Sequence, residues 1–242
     1  MTIFQLFSYI SSPPFITRSW FVSNFYFSDT TNLSDGLLQL TGALTIYNAD
    51  VELTAINISN TIAEDALNIV HSNVIVGSLR IEDTVSDAFD CDFCEGEFHS
   101  MDFKNIGGDG FDVSGSVFSA SINSASKIRD KVMSVGEQSR GSITVSSVSD
   151  AHVAVAVKDA GAANVTLQNT STTGPLVMTY LKKDFFEGET VANVRLRDSV
   201  FSTNADAFVA ATGTKLIVDG VRHPNQVLNV EKLYSVGPMK KN

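Results

Sequence analysis

The chain repeats itself at a nearly constant step. Glu64-Asp65-Ala66-Leu67, Ser86-Asp87-Ala88-Phe89, Gly108-Asp109-Gly110-Phe111 and Arg129-Asp130-Lys131-Val132 open four successive segments, and their aspartates lie 22, 22 and 21 residues apart, with Ala151 another 21 on. A period of this length is that of a solenoid, in which each unit covers its neighbour because none can bury its apolar face alone. Within the units, Leu67 and Ile69 match Phe89 and Cys91, then Phe111 and Val113, then Val132 and Ser134, then Val153 and Val155. This alternation of period two predicts strands with one buried face. Two further groups per unit, such as Val74 with Val76 and Leu79 with Ile81, predict additional short strands, separated by turn formers such as Ser72-Asn73 and Ser114-Gly115-Ser116. Three short strands per 21–23 residues predict an all-β chain wound as a single right-handed parallel β-helix. Equivalent residues of successive coils then stack about 4.8 Å apart.

Composition agrees with strands and polar turns: 43% of the 242 residues are hydrophobic and only 18% are charged. The formal charge of −10 argues against nucleic acid or an anionic membrane as partner. No run of about 20 apolar residues is present to insert into a membrane. The helix is expected over 37–230, with an irregular N-terminal capping coil at 1–36 and a C-terminal tail at 231–242. The start of the chain carries no basic region ahead of an apolar run, so no signal peptide is evident. A piece of a longer parent chain with other domains fits that start. The step lengthens around Lys182–Glu189, which predicts a loop bulging from the helix. Val227-Leu228-Asn229-Val230 is expected to complete a last coil. Cys91 and Cys94 form a lone C-x-x-C; in an extended strand that spacing points the two side chains to opposite faces, which places Cys91 in the core and Cys94 near a turn.

Three groups of side chains carry potential chemistry. If Phe89 and Cys91 face inward, Asp90 and Asp92 face outward, and Asp112 stacks on Asp90 one coil away with Asn68 on its other side. Closely stacked carboxylates either raise one another's pKa or recruit a cation, and calcium favours such an oxygen cluster, with Glu95 as an extra ligand. Asp90, Asp92 and Asp112 are therefore the candidate metal ligands. The corner row Asp65, Asp87, Asp109 and Asp130 is explained by architecture, each aspartate accepting from the backbone amides that follow it. A mixed group, Lys131, Glu137, Arg140, Lys158, Asp159, Lys182 and Lys183, reads either as a salt-bridged surface strip or as a site for β-elimination. In the second reading Lys158 or Lys182 is the base and Arg140 the charge partner, while Asp90, Asp112, Glu137, Asp159 and Lys183 contact substrate.

The stretches EDALNI (64–69), SDAFDCDF (86–93), GDGFDVSGS (108–116), DKVMSVGE (130–137), VAVKDAG (155–161) and YLKKDFFEG (180–188) resemble the β-helix segments of the pectate-lyase-like superfamily. The likeness is greatest to those in large secreted bacterial proteins that also carry spore-coat-kinase-like domains. It covers about two-thirds of the chain (36–194). It implies an extracellular or cell-surface module that binds or displays polysaccharide, with calcium as the expected ion. A polysaccharide lyase acting on uronate glycans, or a glycoside hydrolase, is the enzymatic alternative, and a non-catalytic spacer the structural one. The R-x-P-x-x-R segment of many pectate lyases is missing here, as are the G-H-G and D-D motifs of polygalacturonase-type hydrolases.

Overall fold

Successive strands pair in parallel at a step set by the chain's own period. Leu44 pairs with Leu67, Leu67 with Phe89, Phe89 with Phe111, Phe111 with Met133, Met133 with Val155, Val155 with Val177 and Val177 with Phe208. The computed structural model describes residues 41–204 and 206–240, together with the backbone of short strands at 6–7, 18–21, 25–26, 33–34 and 39–40. It is a parallel β-solenoid of about eight turns. The strands Leu6–Phe7, Arg18–Phe21 and Phe25–Tyr26 pair in parallel with the first full coil. The rest of the expected capping coil, 1–36, lies outside the described residues.

The inward rows make one continuous core. Phe89 and Phe111 stack face to face with ring centroids 4.3 Å apart, and Phe98 meets both edge-on at 5.3 and 5.0 Å. Stacking of identical residues from adjacent coils is what the sequence period requires, and it closes the core without gaps around the rings.

Each coil turns through two corners held by left-handed backbone. Asn48, His71, Phe93, Gly115, Glu137 and Asp159 form one such row, and Asn60, Asp83, Asn105, Lys127 and Asp150 the other, all with φ between 49° and 61°. Asn and Asp adopt this region readily, whereas Phe93 and Lys127 do so only because neighbouring coils dictate the path. The backbone ladder continues through the corner, as His71 N donates to Asp92 O and Phe93 N to Ser114 O at 2.9 and 2.8 Å. A hydroxyl ladder follows it: Ser72, Ser116 and Ser139 accept from Ala49 N, Cys94 N and Ser116 N of the preceding coil.

Cys91 lies in the core and Cys94 beside a turn, as expected, but that corner overturns the expectation that they face opposite ways. Because Phe93 is left-handed rather than extended, Cys91 and Cys94 turn toward each other and form a disulfide, both buried. The aspartate row differs too. Asp87 Oδ1 accepts from Asp109 N at 2.7 Å and Asp109 Oδ1 from Lys131 N at 3.1 Å, so these two carboxylates tie the next coil. Gly108 permits this, since a Cβ there would lie 1.9 Å from Asp87 Oδ1. Lys131, not Asp130, takes the fourth place in the row. A register irregularity between Ile128 and Lys131 inserts one residue, so Met133 and Val135, rather than Val132 and Ser134, continue the inward rows.

The tail is likewise more than an end. Asn225–Gln226 is a short strand, and the expected strand at 227–230 gives way to the helix Val230–Ser235, capped by the Asn229 side chain accepting from Lys232 N at 2.8 Å. Leu228, Val230, Leu233, Tyr234 and Met239 fold back onto the outer surface of the sheet, against Val153, Ala156, Met178, Tyr180, Val209 and Ala211. This apolar outer patch stands on the last coils, where the polar side chains of earlier coils run out.

Candidate functional site

The outer surface of the sheet built from Asp65–Val70, Asp87–Asp92, Phe111–Ser114 and their successors gathers most of the singled-out side chains. One outward row runs Thr45, Asn68, Asp90, Asp112, Ser134, Ala156 and Met178. Beside it runs Tyr47, Val70, Asp92, Ser114 and Gly136, and, from the next coils, Lys158 paired with Tyr180. Asp90 and Asp112 thus stack directly, as their spacing predicts.

Lys158 crosses this surface diagonally. Its stem passes over Gly136, where a Cβ would stand 2.6 Å from Lys158 Cε, and its Nζ reaches Asp112 Oδ2 at 3.3 Å. Burial, the largest single influence, lowers the Lys158 pKa, but Asp112, Tyr234 and Asp109 together outweigh it, so the net shift is upward. A base for β-elimination needs a lysine poised to lose its proton, and Lys158 is held in the opposite state. Arg140 opens the strand Arg140–Val145 beyond the Ser139 corner, exposed and paired in register with Val117 and Ala162, so it belongs to the adjoining face. Lys182 does not stack on Lys158, since Tyr180 takes that place; its ammonium lies 4.1 Å from the Tyr234 ring centroid.

The loop after Tyr180 is stapled over the end of the same surface. Asp159 Oδ1 accepts from Lys182 N and Lys183 N at 2.6 and 2.8 Å, Lys183 Nζ pairs with Glu137, and Gln138 Nε2 donates to Glu187 O at 3.0 Å. Deeper in, Lys131 pairs with Asp109 at 2.9 Å and with Asp130; its pKa, which burial would lower, is driven up by those two carboxylates. Tyr180 and Tyr234 join hydroxyl to hydroxyl at 2.5 Å, and burial raises both phenols, which stay neutral.

The cations therefore serve Asp109, Asp112, Asp130 and Glu137, and the other end of the column is left rich in carboxyls. Burial, then repulsion from Asp112 and Asp92, pushes Asp90 well above the ordinary carboxylate range. Burial and the charges of Asp112 and Glu137 raise Asp92 to about 6, with His71 and Lys183 opposing. Asp90, stacked directly on Asp112, thus sits in a setting that disfavours its charge. Calcium does not fit here: among the described residues no three acidic, His or Cys side chains converge as ion ligands, and the Lys158 ammonium already occupies one side of Asp112.

Exposed aromatic side chains border the column. Tyr47 is half-buried in the row of Val70 and Asp92, whereas His71 and Phe93 follow one another up the left-handed corner; His71 and Phe93 stack at 4.8 Å, and Tyr47 meets His71 edge-on at 6.2 Å. Phe93 is 55% exposed. Around the corner, a shallow groove of about 620 Å³ passes over Asp50, Glu52, Asn73, Ile75, Glu95 and Glu97. Sequence reasoning found Asp90, Asp92 and Asp112 but missed Ser134, Tyr180, Tyr234 and the aromatic row. A step of 22 residues leads from Asp112 to Ser134 and from Lys158 to Tyr180, so the period itself held those two. Tyr234 lies beyond the last repeat and carried no signal.

A stability test follows from Asp92. Its folded pKa of about 6 lies above the ordinary 3.8, so between these values the folded state holds a proton that unfolding releases. Stability is therefore greatest on the acid side and falls as pH rises through this window. Asp90 acts in the same direction. Asp92 is partly exposed, and with that screening its contribution is about 1 kcal/mol. The melting temperature of Asp92→Asn should exceed that of the parent above the window and match it below. Equal melting temperatures across the whole range would contradict this assignment.

Comparison with known protein families, with curated proteins and with solved structures gives no significant match.

Proposed function

We propose that the protein is a carbohydrate-binding β-solenoid that holds an extended polysaccharide along the corner between its carboxyl column and the adjoining groove. The observation that carries this reading is the exposed, stacked pair His71–Phe93 beside Asp90 and Asp92, with the half-buried Tyr47 edge-on to His71. The exposed rims of these stacked rings give apolar contact to sugar rings, and adjacent carboxyls exchange hydrogen bonds with hydroxyls. The resemblance to the pectate-lyase-like superfamily supports a glycan as partner, and the disulfide supports the extracellular setting expected from it. Binding, rather than lyase chemistry, is favoured because Lys158 is locked as a cation on Asp112.

The test is a polysaccharide array probed with the parent protein, Phe93→Ala and Asp112→Asn. Loss of the stacking ring is expected to weaken binding about tenfold, roughly 1.4 kcal/mol, with little change in melting temperature. An array on which the folded parent protein retains no glycan would leave the spacer reading in its place.

A further inference from the structure

The aromatic ladder is flanked by carboxyls on both sides. On one side stand Asp90, Asp92 and Asp112; on the other, in the groove, Asp50, Glu52, Glu95 and Glu97. Their recorded partners leave most of that charge unmatched. Asn73 Nδ2 donates to Asp50 at 2.6 Å, His99 lies 3.7 Å from Glu97, and Lys158 lies 3.3 Å from one oxygen of Asp112. The whole chain adds to this field with its charge of −10. A uronate or sulfated glycan placed on the ladder would meet repulsion along its entire length.

A second observation points to a donor-rich ligand. Asp112 Oδ1 and Ser134 Oγ are register neighbours on the outward row, and both are buried without a hydrogen-bond partner. Ser134 is 0% exposed, while the Asp112 side chain keeps 21% of its surface open toward the column. Leaving a buried acceptor unsatisfied costs about 1–3 kcal/mol, which a donor brought to Asp112 would offset.

We infer that the polysaccharide carries free amines: the site recognises an amino-sugar polymer, its ammonium groups seated among Asp90, Asp92 and Asp112 and its rings on His71 and Phe93. This rests on the glycan-binding reading and gives the chemistry of the ligand. Each ammonium brings three donors and one positive charge, which meets both the unsatisfied acceptors and the surplus of carboxylates. The mutual repulsion that burdens Asp90 and Asp92 is relieved by such a ligand.

The experiment compares a glucosamine hexamer with its fully N-acetylated counterpart, by calorimetric titration against the whole protein near neutral pH at low and high salt. The free amine form is expected to bind at least tenfold more tightly, with an advantage that shrinks as salt rises. Asp90→Asn combined with Asp92→Asn is expected to bring the two hexamers to within about threefold, and the shape-conserving substitutions, checked by melting temperature, keep the fold. Equal binding of both hexamers, or binding of other glycans alone, overturns the ammonium assignment and leaves the glycan-binding reading standing. If neither hexamer nor any glycan on the array binds, both fall.

Discussion

Replacing Phe111 by alanine is expected to lower the free energy of unfolding by about 3–5 kcal/mol. The ring is fully buried, stacked on Phe89 at 4.3 Å and touched edge-on by Phe98 and Phe118 at 5.0 and 6.4 Å. Its loss removes aromatic surface and leaves a cavity that cannot collapse, because backbone ladders above and below hold the coils at fixed spacing. Phe185, 69% exposed on the loop, serves as the comparison, and its truncation should stay within about 0.5 kcal/mol. Urea unfolding measures both. A cost for Phe111→Ala below about 1.5 kcal/mol, the range of a mild core change, would mean that the stack is not the packed centre described.

Lys131→Ala is expected to be as damaging, for a different reason. The ammonium is 2% exposed and is the shared partner of Asp109 and Asp130, so its removal leaves two carboxylates buried without their cation. Breaking a buried pair from one side costs about 3–5 kcal/mol, whereas replacing all partners by uncharged groups is often close to neutral. The triple change Lys131→Met, Asp109→Asn, Asp130→Asn should therefore recover at least half of the loss. Failure of the triple variant to recover any stability would show that Lys131 acts through packing of its stem rather than through charge.

Much of the architecture is legible in the residues themselves. The spacing of Phe89 and Phe111 is the spacing of a coil, and once those two stack, Asp90 must stack on Asp112. What escapes depends on single backbone turns. Nothing in the letters Arg129-Asp130-Lys131 announces an inserted residue, yet it moves Lys131 into the aspartate row and turns Ser134 outward. The disulfide hides for the same kind of reason, because strand geometry separates residues three apart and only a left-handed Phe93 reunites them. The return of Leu233 and Tyr234 across the last coils is a long-range contact without a local pattern. The candidate site thus splits cleanly: its carboxyl column is periodic and readable, while its tyrosine and lysine end is assembled by a loop and a tail that interrupt the period.

The corners have a consequence for how such a molecule can grow. The strands of the regular coils pair with their counterparts one turn away, and the left-handed residues recur at the same place from Asn48 to Asp159. Length is then a free variable, independent of girth. An in-frame tandem copy of residues 87–108 adds one rung, separates the two ends by a further ~4.8 Å, and brings a second Asp90-Asp92 pair and a second Phe93 with it. Molecular length and the number of these surface carboxyl and ring groups rise together in a single genetic event, without redesign of the interior.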